Sequence, residues 1–337
     1  MFFMNKISKK NYNEQKYYIT LIVFVVFLCI LTFISFFIGR YDKPLFSIED
    51  VKVIKLIVLR IRLPRIALAL LVGAALSASG CIYQSLLQNP MASPDILGCT
   101  NGAATGAALA ILLNFPKIGV TINAFIFSFI TILLVYFIGN RAIGNRVVNL
   151  ILSGIIVSSI FSSITSYIKL VADPTNKLPA ITYWLMGSLS GFTSKELPFV
   201  VVPILTSLIL VYLFRWKLNI LSLGDSEART LGIDVLKYRL VFILLATILT
   251  ATSVAFSGSI GYVGLVIPHL SRKLIGNNNR YLIPISMVIG ANFMLLVDNI
   301  SRTLLHTEIP IGILTSLIGA PFFLYLIYRK EGNRCSM

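Results

Sequence analysis

Residues 17–38 read YYITLIVFVVFLCILTFISFFI, a run without one charged side chain. In water such a run has no partner large enough to cover it. In a bilayer it has the length needed, because roughly 20 apolar residues wound as a helix cross the hydrocarbon core while pairing every backbone group internally. The same pattern recurs along the chain, near 66–87, 96–113, 119–139, 147–168, 197–214, 238–256, 262–275, 281–301 and 309–328. These runs predict an all-α polytopic membrane protein of about ten transmembrane helices, forming a single permease-like domain over 1–337. Composition agrees: 57% of the residues are hydrophobic, 12% are charged and mean hydropathy is +0.87. A soluble domain of 337 residues could not bury that much apolar surface.

Charge sets the orientation. Lys6, Lys9, Lys10 and Lys16 precede the first run, and no small-residue cleavage site follows it, so an uncleaved first helix with a cytoplasmic N-terminus is expected. In a ten-span arrangement 17 of the 29 Lys and Arg fall on that side and 12 outside, seven of those 12 in the stretch from Arg40 to Arg65, so the bias is modest. The net charge of +16 therefore reflects membrane topology rather than nucleic-acid binding, since the cations sit at span ends and no nucleic-acid module is visible. Cys29, Cys81, Cys99 and Cys335 form no CxxC and no metal-ligand spacing, which predicts free thiols and no bound metal.

The spans hold few groups that could do bond chemistry or carry a coupling ion. Asp298 and His269 are the exceptions, and helix packing accounts for both better than a proton relay does. HExxH, GxSxG and GxxxxGK[ST] are absent, so hydrolysis by this chain lacks its signatures and any energy source lies on a partner. Small residues are abundant instead. Gly98, Gly102 and Gly106 are spaced by four on one helical face, which favours close helix packing, while Asn101 and Thr105 could add polarity to a path. Asn101, Gly102, Ser153 and Ser159 are the candidate path residues. Pro90 and Pro94 end one span, with Asp95 placed to cap the next, and SGSIGYVGLVIPHL (257–270) punctuates a second connection in a similar way. Two inverted halves, near 62–168 and 237–328, would put these connections in matching places on opposite faces.

A polar island, LSLGDSEARTLGIDV, occupies 221–235 between apolar runs. Gly224, Asp225 and Ser226 read as an N-terminal cap and Gly232 as a C-terminal stop, which predicts a helix of about two turns. Its mixed charge does not suit a membrane-surface anchor. Taken by itself it is an ordinary structured loop or a partner's handle.

Glu227-Ala228 followed by Gly232 resembles the EAA-type loop of ABC importer permeases. RLPR (62–65), LLQNPMASPDILGCTNGA (86–103), YWLMGSLSG (183–191), LGDSEARTLGI (223–233), GSIGYVGLVIPHLSR (258–272) and PIGILTSLIGAPFF (310–323) together resemble the FecCD-type family, permeases for iron-siderophores, haem and vitamin B12. The resemblance runs in order over about 62–328. It implies a vitamin B12 importer-like permease fold in a bacterial cell membrane and a homodimer or heterodimer of permeases around a central path. It also implies cytoplasmic ATPase subunits carrying ATP and Mg, an extracytoplasmic substrate-binding protein, and no cofactor on this chain. Leu223, Gly224, Asp225, Ser226, Glu227, Ala228, Arg229 and Gly232, within 221–236, would then couple to the ATPase. Arg62, Arg65 and Arg302 match the family's outer-face arginines and would dock the binding protein. An iron-siderophore is the expected cargo, with cobalamin and haem as alternatives. An ATP-independent secondary transporter is the rival of another class, against which the scarcity of buried carboxylates argues.

Overall fold

The computed structural model describes residues 2–39 and 56–332. Arg40, Lys43, Lys52, Lys55 and Cys335 lie outside them. Twelve α-helices are described: α1 (Phe2–Phe37), α2 (Leu63–Leu86), α3 (Cys99–Leu112), α4 (Lys117–Arg141), α5 (Arg146–Val171), α6 (Lys177–Leu185), α7 (Leu197–Leu221), α8 (Asp225–Thr230), α9 (Val235–Ser257), α10 (Val263–Ile275), α11 (Asn279–Thr303) and α12 (Ile311–Gly332). A π-helical turn, Val58–Arg62, leads into α2, and a 3₁₀ turn, Pro94–Leu97, precedes α3. Among the described residues seven helices are long and apolar enough to cross a membrane.

The runs expected at 96–113 and 262–275 fold into helices of only 14 and 13 residues. At 1.5 Å per residue each reaches about 20 Å, short of a hydrocarbon core of about 30 Å. Irregular backbone supplies the rest. Such backbone is tolerated at membrane depth only when protein or a water-filled space surrounds it, and Ala92, Pro94, Leu97 and Ile260 of these segments are buried in protein. The first turn of α10 packs on the 3₁₀ turn before α3: a Cβ on Gly264 would lie 2.9 Å from Cδ of Pro94. Asp95 does not cap α3 as expected. Gly98, at φ +79°, occupies the N-cap position, and the Asp95 carboxylate accepts a hydrogen bond from the Thr100 hydroxyl.

The order of element lengths repeats along the chain. A long helix, a break, a short helix and two long helices occur as α2, α3, α4, α5 and again as α9, α10, α11, α12. The centre of the bundle is α2, α9 and α11, most of whose apolar residues are buried, whereas α1, α4, α5 and α7 are largely exposed on their outer faces. Glycine lets the central helices touch. A Cβ on Gly73 of α2 would meet the Gly290 carbonyl of α11 at 2.2 Å, and one on Gly80 would meet the Gly264 carbonyl at 1.9 Å.

Several helix starts are capped by the residue types that do so best. Asn145 accepts from the Val147 amide, Asp234 from that of Lys237, and Asn278 from that of Arg280. These caps and α8 fix the two ends of the bundle. The ends of α2, α7 and α10 and the starts of α9 and α11 gather beside α8, joined by contacts such as Ser85 to Asn279 and Asn219 to Asn278. The far end gathers α6, the end of α11 and the start of α12, where the Ile311 amide donates to the Gly187 carbonyl.

Candidate functional site

At one end of the bundle the polar island forms α8, a helix of six residues, shorter than the two turns expected. Gly224, at φ +127°, turns the chain into it, and Gly232, at φ +76°, turns the chain out. Both conformations are strained for residues with a Cβ. The exit is closed by the Gly232 amide donating to the Arg229 carbonyl at 2.9 Å and the Ile233 amide to the Ala228 carbonyl at 3.1 Å. So short a helix has little intrinsic stability. It is held by Ala228, fully buried under it, and by Arg239 of α9, whose guanidinium donates to both oxygens of Asp225 at 3.1 and 2.5 Å. Sequence reasoning missed Arg239. Its signal was a cation one turn into an apolar helix, a position that requires a counter-charge once buried.

Everything else on α8 points away from the bundle. Leu223 and Leu231 are 60% and 58% exposed, on either side of exposed Ser226, Glu227, Arg229 and Thr230. Glu227 accepts a hydrogen bond from the Ser226 hydroxyl, which holds its carboxyl below the usual glutamate range. Two apolar side chains around a rigid polar turn have the anatomy of a docking knob. Leu231 was not among the sequence candidates, although it lay inside the segment.

The three arginines lie together at the other end, but not as free surface charges. Arg62, Arg65 and Arg302 are all buried. Arg65 bonds Asp298 at 2.9 Å and Glu308 at 2.8 Å. Arg302 lies 3.1 Å from the second Asp298 oxygen, within ion-pair range though not aligned as a hydrogen bond, and also donates to the Ile38 carbonyl. Arg62 donates to the Phe36 carbonyl of α1. These arginines are therefore not free rim charges: two carboxylates already neutralise much of their charge inside the bundle. Nor do Arg62 and Arg65 stand at a helix N-terminus, because the backbone is already helical at Leu56, ahead of both. Asp298 is the packing residue anticipated, and it is fully buried between Arg65 and Arg302.

The four path candidates separate. Gly102 faces α4, where an added Cβ would meet Thr131 Oγ1 at 2.0 Å, so it serves close packing of α3 on α4. Asn101 is partly buried one residue before it, and the neighbouring Thr105 hydroxyl bonds the Phe161 carbonyl and the Thr165 hydroxyl, joining α3 to α5. Ser153 is buried. Ser159 is exposed, and so are Ser162, Ser163 and Ser166. Their spacing of three, four and seven places them on one face of α5, pointing out of the bundle at membrane depth. Further down the same face the exposed residues are Leu152, Ile155 and Ile156. No group of His, Cys, Asp and Glu able to hold a metal ion occurs among the described residues.

The model of the FecCD transport family matches residues 22–329. The chain belongs to that family. It is 41% identical over 318 residues to the molybdate import system permease protein MolB of Haemophilus influenzae, covering 91% of this chain and 94% of that protein. It is 39% identical over 283 residues to the hemin transport system permease protein HmuU of Yersinia pestis, covering 82% and 84%. A metal-chelate-type ABC transporter solved in an inward-facing conformation superposes with a TM-score of 0.85 at 42% identity, covering 92% of this chain and 98% of that one. The chain is thus an integral permease subunit of an ABC importer in a bacterial cell membrane. Members of this family work with separate ATPase subunits and substrate-binding partners.

Proposed function

We propose that this FecCD permease carries an intact iron chelate, an iron-siderophore, along a path formed between two permease copies. The hydroxyl stripe of Ser159, Ser162, Ser163 and Ser166 carries the reading. Ser166 donates to the Ser162 carbonyl one turn back; the other three hydroxyls turned toward lipid would gain nothing, whereas facing a second copy across a water-filled path they remain solvated. Neutral hydroxyls can exchange hydrogen bonds with the oxygens of a chelate without competing for its metal, which suits cargo that passes whole. They also bind weakly enough to release it. Leu223, Glu227 and Leu231 on α8 would seat in the cytoplasmic ATPase, and ATP binding and hydrolysis there would drive rigid-body switching of the bundle.

Molybdate is the second reading, favoured by the 41% identity to a molybdate permease. Reconstitution into proteoliposomes with the cognate ATPase and binding protein separates the two. Uptake of ⁵⁵Fe presented as a ferric siderophore, at rates well above those of molybdate, haem and cobalamin, supports the proposal. Molybdate uptake without ⁵⁵Fe uptake overturns it, and uptake that persists with a hydrolysis-dead ATPase revives the secondary transporter.

A further inference from the structure

A cavity of about 540 Å³ opens at the α8 end, between the ends of α2 and α10 and the start of α11. It is distinct from the exposed face of α8 and from the hydroxyl stripe of α5. Its walls carry Arg272, Lys273 and His269 of α10, Gln84 and Gln88 of and after α2, and Asn277. No Asp or Glu lines it among the described residues. Arg272 is half-buried, and the hydrogen bond described for its guanidinium goes to a neutral amide oxygen, that of Gln84. The amide nitrogen of Gln84 is in turn held toward the Gly264 and Leu265 carbonyls. Three of the four buried guanidiniums described elsewhere meet carboxylates, Arg65 and Arg302 at Asp298 and Arg239 at Asp225, while the fourth, Arg62, meets the Phe36 carbonyl. The α10 cavity instead presents the charges of Arg272 and Lys273 and the side-chain amides of Gln88, Asn277 and Asn279, with no carboxylate on its wall among the described residues; its hydroxyls, of Ser85 and Ser222, are already donated to Asn279 and Asn219.

We infer that this cavity is a binding site for a phosphate-bearing anion, held by Arg272 and Lys273. A multi-oxygen anion matches a cluster of donors with net charge +2, and a guanidinium is shaped to grip two phosphate oxygens at once. The volume lies within the usual range for small-molecule sites, about 300–1,000 Å³. A protein carboxylate reaching in from a partner would fill only part of it. Position favours an anionic phospholipid as the source: basic pockets between transmembrane helices take such headgroups, and α10 and α11 place this one at the end of the bundle. A soluble phosphate shares the chemistry. Ser222, two residues before Gly224, also lines the cavity, and a Cβ on Gly224 would lie 3.8 Å from the Gln88 amide nitrogen. An occupant would therefore brace the chain from which α8 springs.

The test uses the full chain with its ATPase partner. Native mass spectrometry counts phosphatidylglycerol retained from mixed phosphatidylglycerol–phosphatidylcholine nanodiscs, and thermal-shift titration with inorganic phosphate probes the soluble source. Lys273→Gln, at an exposed position, should fold normally and retain about fivefold less phosphatidylglycerol. Arg272→Gln should lose more, and Arg280→Gln, outside the cavity wall, should match the parent. A phosphate-induced shift that vanishes in Lys273→Gln, with unchanged lipid retention, keeps the site and assigns the soluble source. Parental lipid retention and parental phosphate response in Lys273→Gln overturn the inference. So does a defect that appears only as weakened ATPase binding, which would make the cavity a seat for that partner.

Discussion

Replacing Asp298 by Asn removes one negative charge from between two buried guanidiniums. In the structure Asp298 is wholly buried and lies 2.9 Å from Arg65 and 3.1 Å from Arg302. At an effective dielectric of about 20, each contact is worth roughly 5 kcal/mol of attraction before desolvation is subtracted. Much of that is offset by the cost of burying the ions, so the intact cluster adds little net stability. Breaking it is different, because Arg65 keeps only Glu308 and Arg302 loses its counter-charge. The expected loss is about 3–5 kcal/mol, which at roughly 2 °C per kcal/mol lowers the unfolding midpoint by about 6–10 °C. Thermal unfolding of detergent-purified protein, followed by size-exclusion fluorescence, reads this directly. A double change, Asp298→Asn with Arg302→Met, should recover part of the loss, since it removes the guanidinium left without a counter-charge and keeps Arg65 paired with Glu308. A loss under about 1 kcal/mol for Asp298→Asn, or a double variant as damaged as the sum of the singles, would show that the cluster is not an interdependent buried network.

The other predictions concern coupling, packing, the path and pH. Glu227→Arg and Leu231→Glu, both on the exposed side of α8, should abolish transport-linked stimulation of the ATPase while leaving the unfolding midpoint within about 1–2 °C of the parent. Stimulation at the parental level would remove α8 from the coupling role. Gly290→Ala should cost about 1–3 kcal/mol or more, because the new methyl would lie 2.0 Å from Ser77 Oγ and 2.4 Å from the Gly73 carbonyl; a neutral result would mean that α2 and α11 separate easily. Ser159→Cys, Ser162→Cys and Ser166→Cys, on a background lacking exposed Cys29, should react with a water-soluble maleimide in assembled membranes, and Val202→Cys on lipid-facing α7 should not. Equal labelling at all four would argue against a path on α5. For Glu196, burial alone would raise the carboxyl pKa, but bonds from Lys117 and Thr193 outweigh it and hold the group below the ordinary value of 4.5. A depressed carboxylate stabilises the fold above its unfolded value and loses that contribution as pH falls. Amide-exchange protection around Thr193 and Glu196 should therefore drop below about pH 4.5 in the parent and already be low in Lys117→Met at neutral pH; pH-independent protection would exclude this pair as its source.

How far the sequence could be read differs from element to element. Unbroken apolar length specified α1, α4, α5, α7, α9 and α11, because in hydrocarbon the chain has no other way to pair its backbone. At 96–113 and 262–275 the helices run only over Cys99–Leu112 and Val263–Ile275, each shorter than the hydrocarbon core is thick. Composition cannot distinguish backbone facing lipid from backbone facing protein, and only the meeting of Pro94 with Gly264 inside the bundle makes those breaks tolerable. The glycine spacing at 98, 102 and 106 announced close packing, and Gly102 and Gly106 do pack against α4.

Local chemistry also made α8 visible: two glycines bracketing a polar turn need nothing distant to be recognised. Its tether to Arg239 and the partners of Arg65 were not visible in the same way. Arg65 and Asp298 are separated by 233 positions, and whether a cation at a span end faces water, a headgroup or a buried carboxylate depends on which helices the bundle brings together. The serines of α5 illustrate the division. Their spacing along the chain already put them on one helical face, by geometry any α-helix shares. Only packing decided that this face is turned outward, because the neighbours that could have covered it, α3 and α4, are held by glycine contacts and threonine hydroxyls on the other sides of the helix. The chain by itself determined that it crosses a membrane, where its helices run and where its polar turn lies. The tertiary structure determined which of its charges are spent on one another and which are left for a partner, since charge compensation is a property of distances in space.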